Sequence, residues 1–431
     1  MYLCVVNVMH LSESLHKFKG YTLINRSQRN GLLRKVSSLR KKRVLLLSEG
    51  FGKGHTQAAH ALSVELRQSS SEIITRVIEL GAFLHPTLAP WIFSAYRRTV
   101  TSQPKLYGML YRNQYEKSPS RVAALVLHRI FYSQTKAIIK QLRPDIIVCT
   151  HPFPSIIVSR LKRAGLDVPL FTVITDYDVH GTWIDPAVDK YLVSTPMVRE
   201  RLIGRGVPET HVEVTGIPVH PNFRLEHSKE QIRQEFGLKA MPTVMVMGGG
   251  WGVFKKEEKE ELLTYLASWS KDIQLLICLG TNEKARQQLL EEDVFRQPNV
   301  HLIGYTSEIN KLMDISDLLI TKPGGMTCTE AMAKGIPMLF YSPIPGQEEK
   351  NCDYFQEQGY GQKIISLEMI DHWFKLLLEQ YPELVKRRTD IRNHQKYTAQ
   401  DCSTAIMQYL KLSEKRPYMQ ASTTTPLIQW Y

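Results

Sequence analysis

The 431-residue sequence has no uninterrupted apolar run of about 18 residues, the minimum that a bilayer-spanning helix requires. Its first stretch, MYLCVVNVMHLSESLHKF, also lacks the positively charged start and the cleavage site of a secretory signal peptide. We therefore expect a cytoplasmic protein with neither a spanning helix nor a signal peptide.

Cysteine is scarce, and no two cysteines form the CxxC spacing that zinc ribbons and redox motifs share. This pattern excludes a disulfide framework and is typical of reduced thiols in the cytosol. The six cysteines are Cys4, Cys149, Cys278, Cys328, Cys352 and Cys402.

Acidic residues are too few to balance the basic ones, 42 against 55, so the formal net charge is +13 and the pI is about 9.3. Such a balance favours an anionic partner, which can be nucleic acid, an anionic lipid surface or a nucleotide substrate. The length suits two domains of roughly 200 residues each.

Common phosphate-site and metal-site signatures are missing as well. The glycine turn GFGKGH (residues 50–55) follows a buried strand and precedes a helical pattern, but it is neither a Walker motif nor a strict GxGxxG. No DxD pair is arranged as a metal site, so we expect no metal and no other cofactor. Alone, the turn is a weak signal, since a single loop histidine such as His55 is often a surface residue.

The most informative stretch is residues 318–351, LLITKPGGMTCTEAMAKGIPMLFYSPIPGQEEKN. It predicts a buried strand, a glycine turn, a helix capped by Thr327 or Thr329 and ended by Gly335, a second strand and a polar loop. Ligands of open α/β sheets bind at the carboxyl ends of such strands. Four polar side chains could then surround a polyhydroxylated ligand: Glu330, Gln347, Glu348 and Asn351. The alternative is a simple turn at Gly324 and Gly325 with a solvated Glu330.

These motifs, KPGG-x-T-x-x-EA and P-x-PGQE-x-x-N, resemble the donor signature of glycosyltransferase family 28. The resemblance extends from Lys42 to about Tyr409 and is closest to the diacylglycerol glycosyltransferases. It implies that Glu330 holds the ribose of UDP, and that Gln347 and Glu348 hold hydroxyls of the donor sugar. It also implies that the Gly248–Gly250 turn, which puts bare amides at a helix N-terminus, holds the diphosphate.

The resemblance also covers the first domain. Its G-x-GH turn falls on His55, and its TD-x-x-x-H-x-x-W segment begins at Thr175. A histidine has the pKa that a general base needs, so we favour His55 as the base, with Asp176 as the competing candidate. The uracil would rest on backbone around Tyr305 and Thr306. The substrate-binding residues assigned in this way are Gly54, His151, Gly249, Gly250, Tyr305, Thr306, Gly324, Gly325, Thr327, Glu330, Gln347, Glu348 and Asn351.

The fold that these observations imply is GT-B, two doubly wound α/β domains facing across a cleft. We expect a basic arm at residues 1–42, an acceptor-side domain at 43–220, a donor domain with C-terminal helices at 221–412 and a loose tail at 413–431. The expected reaction is inverting transfer of a hexose from UDP-glucose or UDP-galactose to a lipid hydroxyl, most simply that of diacylglycerol. Another lipid or metabolite acceptor, and a UDP-sugar sensor without catalysis, stay open as alternatives.

Residues 83–118 mix aromatic and basic side chains with few acids, and the first 42 residues carry nine Lys or Arg against one acidic residue. Core-facing helices would explain residues 83–118, and a disordered arm would explain the first 42 residues. The functional alternative is a segment that lies on an anionic membrane surface. We therefore expect a peripheral protein on the cytoplasmic membrane face, with no nucleic-acid partner.

Overall fold

The computed structural model describes residues 40–102, 122, 125, 128–129, 132–248, 259–394 and 399–413. Several expectations fall outside these residues. They concern the basic arm up to residue 39, the part of 83–118 beyond residue 102, the tail beyond residue 413, and the glycines Gly249 and Gly250.

The first domain contains a six-stranded parallel sheet in the order β2-β1-β3-β4-β5-β6. Its inner strands are buried on both faces, because helices cover both sides of the sheet, and so they read as continuous apolar runs. In β1, Leu45 and Leu47 face one core while Val44 and Leu46 face another. The strands are β1 (Lys42–Ser48), β2 (Ile73–Glu79), β3 (Ile146–Cys149), β4 (Leu170–Val173), β5 (Lys190–Val193) and β6 (Val212–Val214).

The predicted helix after the glycine turn is confirmed, and its apolar residues Leu62 and Leu66 are buried against the first sheet, whereas Ala58 is buried in a core of the second domain. The α-helices of this part of the chain are α1 (Lys53–Ser69), α2 (Leu80–Leu84), α3 (Ala89–Ser102), α4 (Thr135–Leu142), α5 (Pro152–Arg163) and α6 (Pro196–Gly204). Short 3-10 helices lie at Gly181–Trp183, Glu209–His211 and Pro221–Arg224.

The second domain repeats the arrangement, with a parallel sheet in the order β12-β11-β10-β7-β8-β9. Its strands are β7 (Thr243–Met247), β8 (Gln274–Gly280), β9 (Val300–Gly304), β10 (Leu318–Thr321), β11 (Met338–Phe340) and β12 (Gly361–Lys363). Its α-helices, together with the last helix of the described chain, are α7 (Lys229–Phe236), α8 (Thr264–Ser268), α9 (Glu283–Leu290), α10 (Ile309–Ile315), α11 (Gly325–Lys334), α12 (Gln347–Glu357), α13 (Leu367–Glu379), α14 (Tyr381–His394) and α15 (Ala399–Ser413). A π-helical turn precedes α8 at Lys259–Leu263, and a 3-10 helix lies at Asp293–Arg296.

Helix α11 ends at Gly335 as predicted, with that glycine at φ +67° in the left-handed region. The predicted cap was wrong. The helix begins two residues before Thr327, with Gly324 as its N-cap, and Thr329 donates instead to the carbonyl of Gly325 at 2.6 Å. A glycine cap has no side-chain signal, whereas threonine has one, so the sequence favoured the later start.

The predicted polar loop after β11 was also wrong in part, because α12 begins at Gln347. The chain turns sharply at Gly346, whose φ is +98°, and the carboxylate of Glu349 accepts a 2.9 Å hydrogen bond from the Gly346 amide. Glu349 thus satisfies a backbone donor that the helix itself leaves unpaired. The consequence is that Gln347 and Glu348 occupy the first turn of a helix, and Asn351 lies within it.

In each sheet the strand order reverses once, between β1 and β3 in the first and between β7 and β10 in the second. Open α/β sheets bind ligands at such a switch point, at the carboxyl ends of the strands. The GFGKGH turn follows β1 and the KPGG turn follows β10. Both glycine turns therefore stand where the topology leaves a crevice, and the predicted pair of doubly wound domains is confirmed.

The C-terminal helices divide between the domains, although the sequence assigned them together to residues 221–412. Leu384 of α14 lies in a core of the second sheet. Helix α15 instead packs on the first sheet, where Cys402 and Ile406 are buried and the ring of Tyr409 lies 5.0 Å from that of Phe171. Its apolar face covers part of the first sheet, a pairing that no local pattern specifies. The other domain limits stay a prediction.

Among the described residues, no helix combines the length and the apolar character needed to cross a membrane.

Candidate active site

A cavity of about 300 Å³ lies at the carboxyl ends of the two sheets, with walls from both domains. The structure brings twelve of the predicted site residues to its wall: Gly54, His55, Asp176, Tyr305, Thr306, Gly324, Gly325, Thr327, Glu330, Gln347, Glu348 and Asn351. Gly248 of the triple-glycine turn also lines it, while Gly249 and Gly250 lie outside the described residues.

His55 stands in the first turn of α1, and its Nδ1 is held from two sides. Nδ1 lies 3.0 Å from the carbonyl oxygen of Thr150 and 2.7 Å from Oγ1 of Thr175. A carbonyl only accepts, so the tautomer that suits both neighbours carries its proton on Nδ1. The opposite nitrogen, Nε2, then has a lone pair available to a ligand. This is the arrangement that a neutral imidazole needs to act as a general base.

The surroundings keep that imidazole uncharged. Burial lowers the pKa of His55, and the nearby Asp176 carboxylate opposes this only in part. His151 and Trp183 pack around the ring, with centroids 4.6 and 6.2 Å away. Since desolvation disfavours the charged form, His55 is a base rather than an acid at neutral pH.

His151 follows β3 but does not line the cavity. It is the N-cap of α5, and its Nδ1 accepts a 3.2 Å hydrogen bond from the amide of Phe153. The ring lies behind His55 and outside the cavity wall. Burial lowers the pKa of His151 well below its ordinary value, with His55 adding to the effect, so His151 supports the wall as a neutral group. Its predicted contact with substrate stays a prediction.

Asp176 follows β4 and is almost fully buried, with 3% of its surface exposed. Oδ1 accepts a 3.3 Å hydrogen bond from Nδ2 of Asn351. Oδ2 has no hydrogen-bond partner among the described residues, although the residue lines the cavity. Burial raises the pKa of Asp176, and His55, Gln347 and Asn351 lower it. One oxygen is therefore fixed by Asn351, and the other is buried beside the cavity without a partner among the described residues.

Glu330 lies on the donor side, within α11. Its side chain is 8% exposed and, among the described residues, has no hydrogen-bond partner. Burial raises the pKa of Glu330 to about 8. A carboxyl group that is buried without a partner and faces a cavity is an unsatisfied ligand-binding group, because such groups elsewhere are paired.

The KPGG turn touches the first domain directly. A β-carbon on Gly325 would lie 2.2 Å from the carbonyl oxygen of Thr175, so only glycine fits. A β-carbon on Gly54 would lie 3.1 Å from Cγ of Met326, a tight contact with a side chain that can shift. The glycines of the two turns therefore allow the carboxyl ends of the two sheets to meet beneath the cavity.

The start of α12 brings two further predicted residues to the cavity. Oε2 of Glu348 accepts a 2.8 Å hydrogen bond from the amide of Ile344, which orders the preceding loop. Gln347 approaches Asp176 closely enough to lower the pKa of that carboxyl group. Asn351, one helical turn further on, is completely buried, and its amide bonds to protein groups on three sides.

Tyr305 and Thr306 follow β9 at the edge of the cavity. The ring of Tyr305 is 73% exposed, and Nζ of Lys53 lies 5.8 Å from its centroid. Oγ1 of Thr306 accepts a 3.0 Å hydrogen bond from the amide of Glu308. The edge thus presents an exposed aromatic ring and a lysine from the opposite domain.

Two family models match the sequence. One is described as Monogalactosyldiacylglycerol (MGDG) synthase and matches residues 55–219, and the other is described as Glycosyl transferases group 1 and matches residues 228–396. The processive diacylglycerol beta-glucosyltransferase of Bacillus licheniformis is 30% identical over 322 residues, which are 74% of this chain and 82% of the relative. The Bacillus pumilus relative of the same name is 29% identical over 386 residues, 88% and 98% of the two chains.

The chain belongs to glycosyltransferase family 28. The resemblance inferred from the KPGG and GQE motifs is confirmed, and the protein is a glycosyltransferase.

Solved structures show the same fold at low identity. MurG of Acinetobacter baumannii superposes with a TM-score of 0.55 at 15% identity, covering 86% of this chain and 99% of MurG. A UDP-GlcNAc 2-epimerase of Neisseria meningitidis gives 0.56 at 15% identity, covering 86% and 100%. The predicted GT-B fold is confirmed. Because an epimerase shares it, the chemistry of this glycosyltransferase has to be argued from its site.

The sequence interpretation missed several residues of this site. Thr175, which holds His55, precedes Asp176 and lines the cavity. Two lysines, Lys53 and Lys322, also line the cavity. Both lysines belong to the glycine turns that were singled out, so their position in a switch-point turn was the available signal.

Proposed function

We propose that this glycosyltransferase transfers a hexose from a UDP-sugar to the hydroxyl of diacylglycerol, with inversion at the anomeric carbon. The acceptor is the one in the names of the related Bacillus enzymes. The donor is supported by the site itself and by the Anabaena protein of the same fold, whose structure holds UDP-glucose.

The donor would lie along the second domain. Glu330 accepts from the ribose hydroxyls, and Gln347 and Glu348 accept from or donate to the sugar hydroxyls. The diphosphate would lie between Gly248, which begins the triple-glycine turn, and the amino-terminal end of α11, where backbone amides and the helix dipole favour negative charge. Lys53 and Lys322 add positive charge at the same cavity.

The reaction is a single displacement. The acceptor oxygen attacks the anomeric carbon, and its proton passes to Nε2 of His55. The bond from the anomeric carbon to the phosphate oxygen breaks, and its electron pair leaves with UDP. Stabilising that charge and removing the proton are the two tasks that the site must perform.

The observation that carries this proposal is the hydrogen bonding of His55. Thr150 and Thr175 hold Nδ1, which leaves the lone pair of Nε2 for a ligand, and His55 lines the cavity. A sugar-binding protein without catalysis has no need of an oriented neutral imidazole opposite its donor turn.

The acceptor would enter from the side of α2 and α3. Phe51 lines the cavity, and its ring lies 5.0 Å from that of Phe93 in α3. Three apolar side chains of α2, α3 and the turn between them are exposed to solvent: Phe83 at 42%, Leu88 at 55% and Trp91 at 78%. We propose that this apolar face lies on the cytoplasmic membrane surface, where anionic lipid would meet the basic segments of the chain.

The test is turnover with the purified full chain. UDP-glucose or UDP-galactose, supplied with vesicles that contain diacylglycerol, should yield a glycolipid and UDP. If the protein retains the UDP-sugar and forms no product, it is a UDP-sugar sensor without catalysis. If product forms only with a lipid other than diacylglycerol, that lipid is the acceptor. Proton NMR of the new glycosidic bond reports inversion or retention.

A further inference from the structure

Three consecutive residues after β4 lie at the junction of the two domains. The last of them, Tyr177, belongs to the first domain by sequence but is buried in a core of the second. Its ring stacks on Tyr354 at 4.6 Å, and its hydroxyl lies 2.8 Å from Oγ1 of Thr329. The segment Thr175–Asp176–Tyr177 is therefore fixed by contacts with the donor domain.

Asn351 makes the central contact of this junction. Its Oδ1 accepts a 2.9 Å hydrogen bond from the amide of Tyr177, and its Nδ2 donates to Oδ1 of Asp176 at 3.3 Å and to the carbonyl of Pro323 at 3.1 Å. Both amide hydrogens and one oxygen lone pair are thus used within the protein. Asn351 stands at the cavity wall, but none of its own surface is exposed, so it is poorly placed to bind a sugar.

The same segment reaches the base at its other end. Oγ1 of Thr175 lies 2.7 Å from Nδ1 of His55, and the carbonyl of Thr175 packs against Gly325 of the donor turn. Asn351 belongs to α12, whose first residues, Gln347 and Glu348, line the cavity. Side chains that would hold the donor are thereby connected to those that hold the base.

We propose that Asn351 is a positioning residue, which holds the buried carboxylate of Asp176 beside His55, and that it does not bind the donor sugar. In the reaction proposed above, on which this inference rests, that carboxylate would stabilise the positive charge that His55 gains when Nε2 takes the acceptor proton. Asn351 bonds to Oδ1, whereas Oδ2 is buried and has no hydrogen-bond partner among the described residues.

The charges around Asp176 predict how the loss of Asn351 would be seen. His55 and Gln347 stabilise the carboxylate, Asp178 in the same loop opposes it, and the neighbours His151 and His180 are neutral because burial lowers the pKa of each. Removing the amide donor takes away a bond to the charged form, so the pKa of Asp176 rises. The acidic limb of the pH profile should then move to higher pH.

Two variants test the inference, Asn351→Ala and the isosteric Asn351→Asp. The second keeps the acceptor for the Tyr177 amide but places an oxygen against Asp176. Both should lower kcat at least about tenfold and leave UDP affinity within about twofold, since only the chemical step is affected. The midpoint of the acidic limb in the pH profile of kcat should move to higher pH, by about half to one pH unit in Asn351→Ala and by more in Asn351→Asp.

The matched control is Tyr177→Phe. It removes the hydroxyl contact with Thr329 but retains the backbone amide that Asn351 binds, so its pH profile should stay that of the parent. If the affinity for the UDP-sugar falls together with kcat in the Asn351 variants, Asn351 binds the donor. If kcat falls while the pH profile of kcat stays unchanged, the role of Asn351 is only structural. Either result overturns the inference, and the parent's turnover would still support the proposed function. A parent that transfers no hexose overturns both.

Discussion

The sharpest prediction concerns the ionisation of Glu330. Burial raises the pKa of this carboxyl group to about 8, so most molecules carry it protonated at pH 7 when the cavity is empty. Two ribose hydroxyls donate best to the ionised form, which makes UDP binding expel a proton. If only the ionised form binds well, the affinity for UDP should rise about fivefold between pH 7 and pH 8.

The matched variant is Glu330→Gln, which keeps the shape and one acceptor but cannot ionise. Above pH 8 it should bind UDP about ten- to a hundredfold more weakly than the parent, the equivalent of roughly 1.5–3 kcal/mol for hydrogen bonds to a charged acceptor. Below pH 7 the difference in UDP affinity between the parent and the variant should become smaller. Calorimetry in two buffers of different ionisation enthalpy should report nearly one proton released by the parent at pH 7 and much less by the variant.

A fold-integrity control follows from the same pKa. The raised pKa means that ionising Glu330 costs the folded state stability as pH rises from the ordinary value of 4.5 through about 8. Glu330→Gln should therefore melt at or above the parent temperature at pH 8. Equal pH dependence of UDP binding in parent and variant would refute the assignment of Glu330 to the ribose.

Four further outcomes are expected. His55→Ala should lose about a hundredfold or more in kcat and still bind UDP, whereas near-parent turnover combined with an inactive Asp176→Asn would make Asp176 the base. Glu348→Ala should weaken binding of the UDP-hexose more than binding of UDP, and equal losses measured by calorimetry would remove it from the sugar. Gly325→Ala should destabilise the junction strongly, because a β-carbon would meet the Thr175 carbonyl at 2.2 Å; an unchanged melting temperature would contradict that packing. Sedimentation with vesicles should show binding that rises with anionic lipid and falls with salt, because exposed charges are screened over about 10 Å at 0.1 M; salt-independent binding would argue against an electrostatic membrane contact.

The sequence by itself determined the strands and the two glycine turns. Parallel strands are buried on both faces, so they appear as apolar runs such as VLLL and LLIT, and the residues that follow them gather at one edge of the sheet. That rule was enough to place His55, Asp176 and Glu330 around one cavity. It could not distinguish a helix from a polar loop at Gln347, where the cap is a glycine with a positive φ.

Only the tertiary structure decided what these side chains touch. Asn351 meets Asp176 and Tyr177 across about 175 positions of sequence, and no local pattern carries that pairing. The tautomer of His55 depends on Thr150, far along the chain, and the pKa of Glu330 depends on its burial in the folded protein. Hydrogen-bond partners and desolvation are properties of the folded junction, so the roles of base, acceptor and positioning residue become visible only once the two sheets have met.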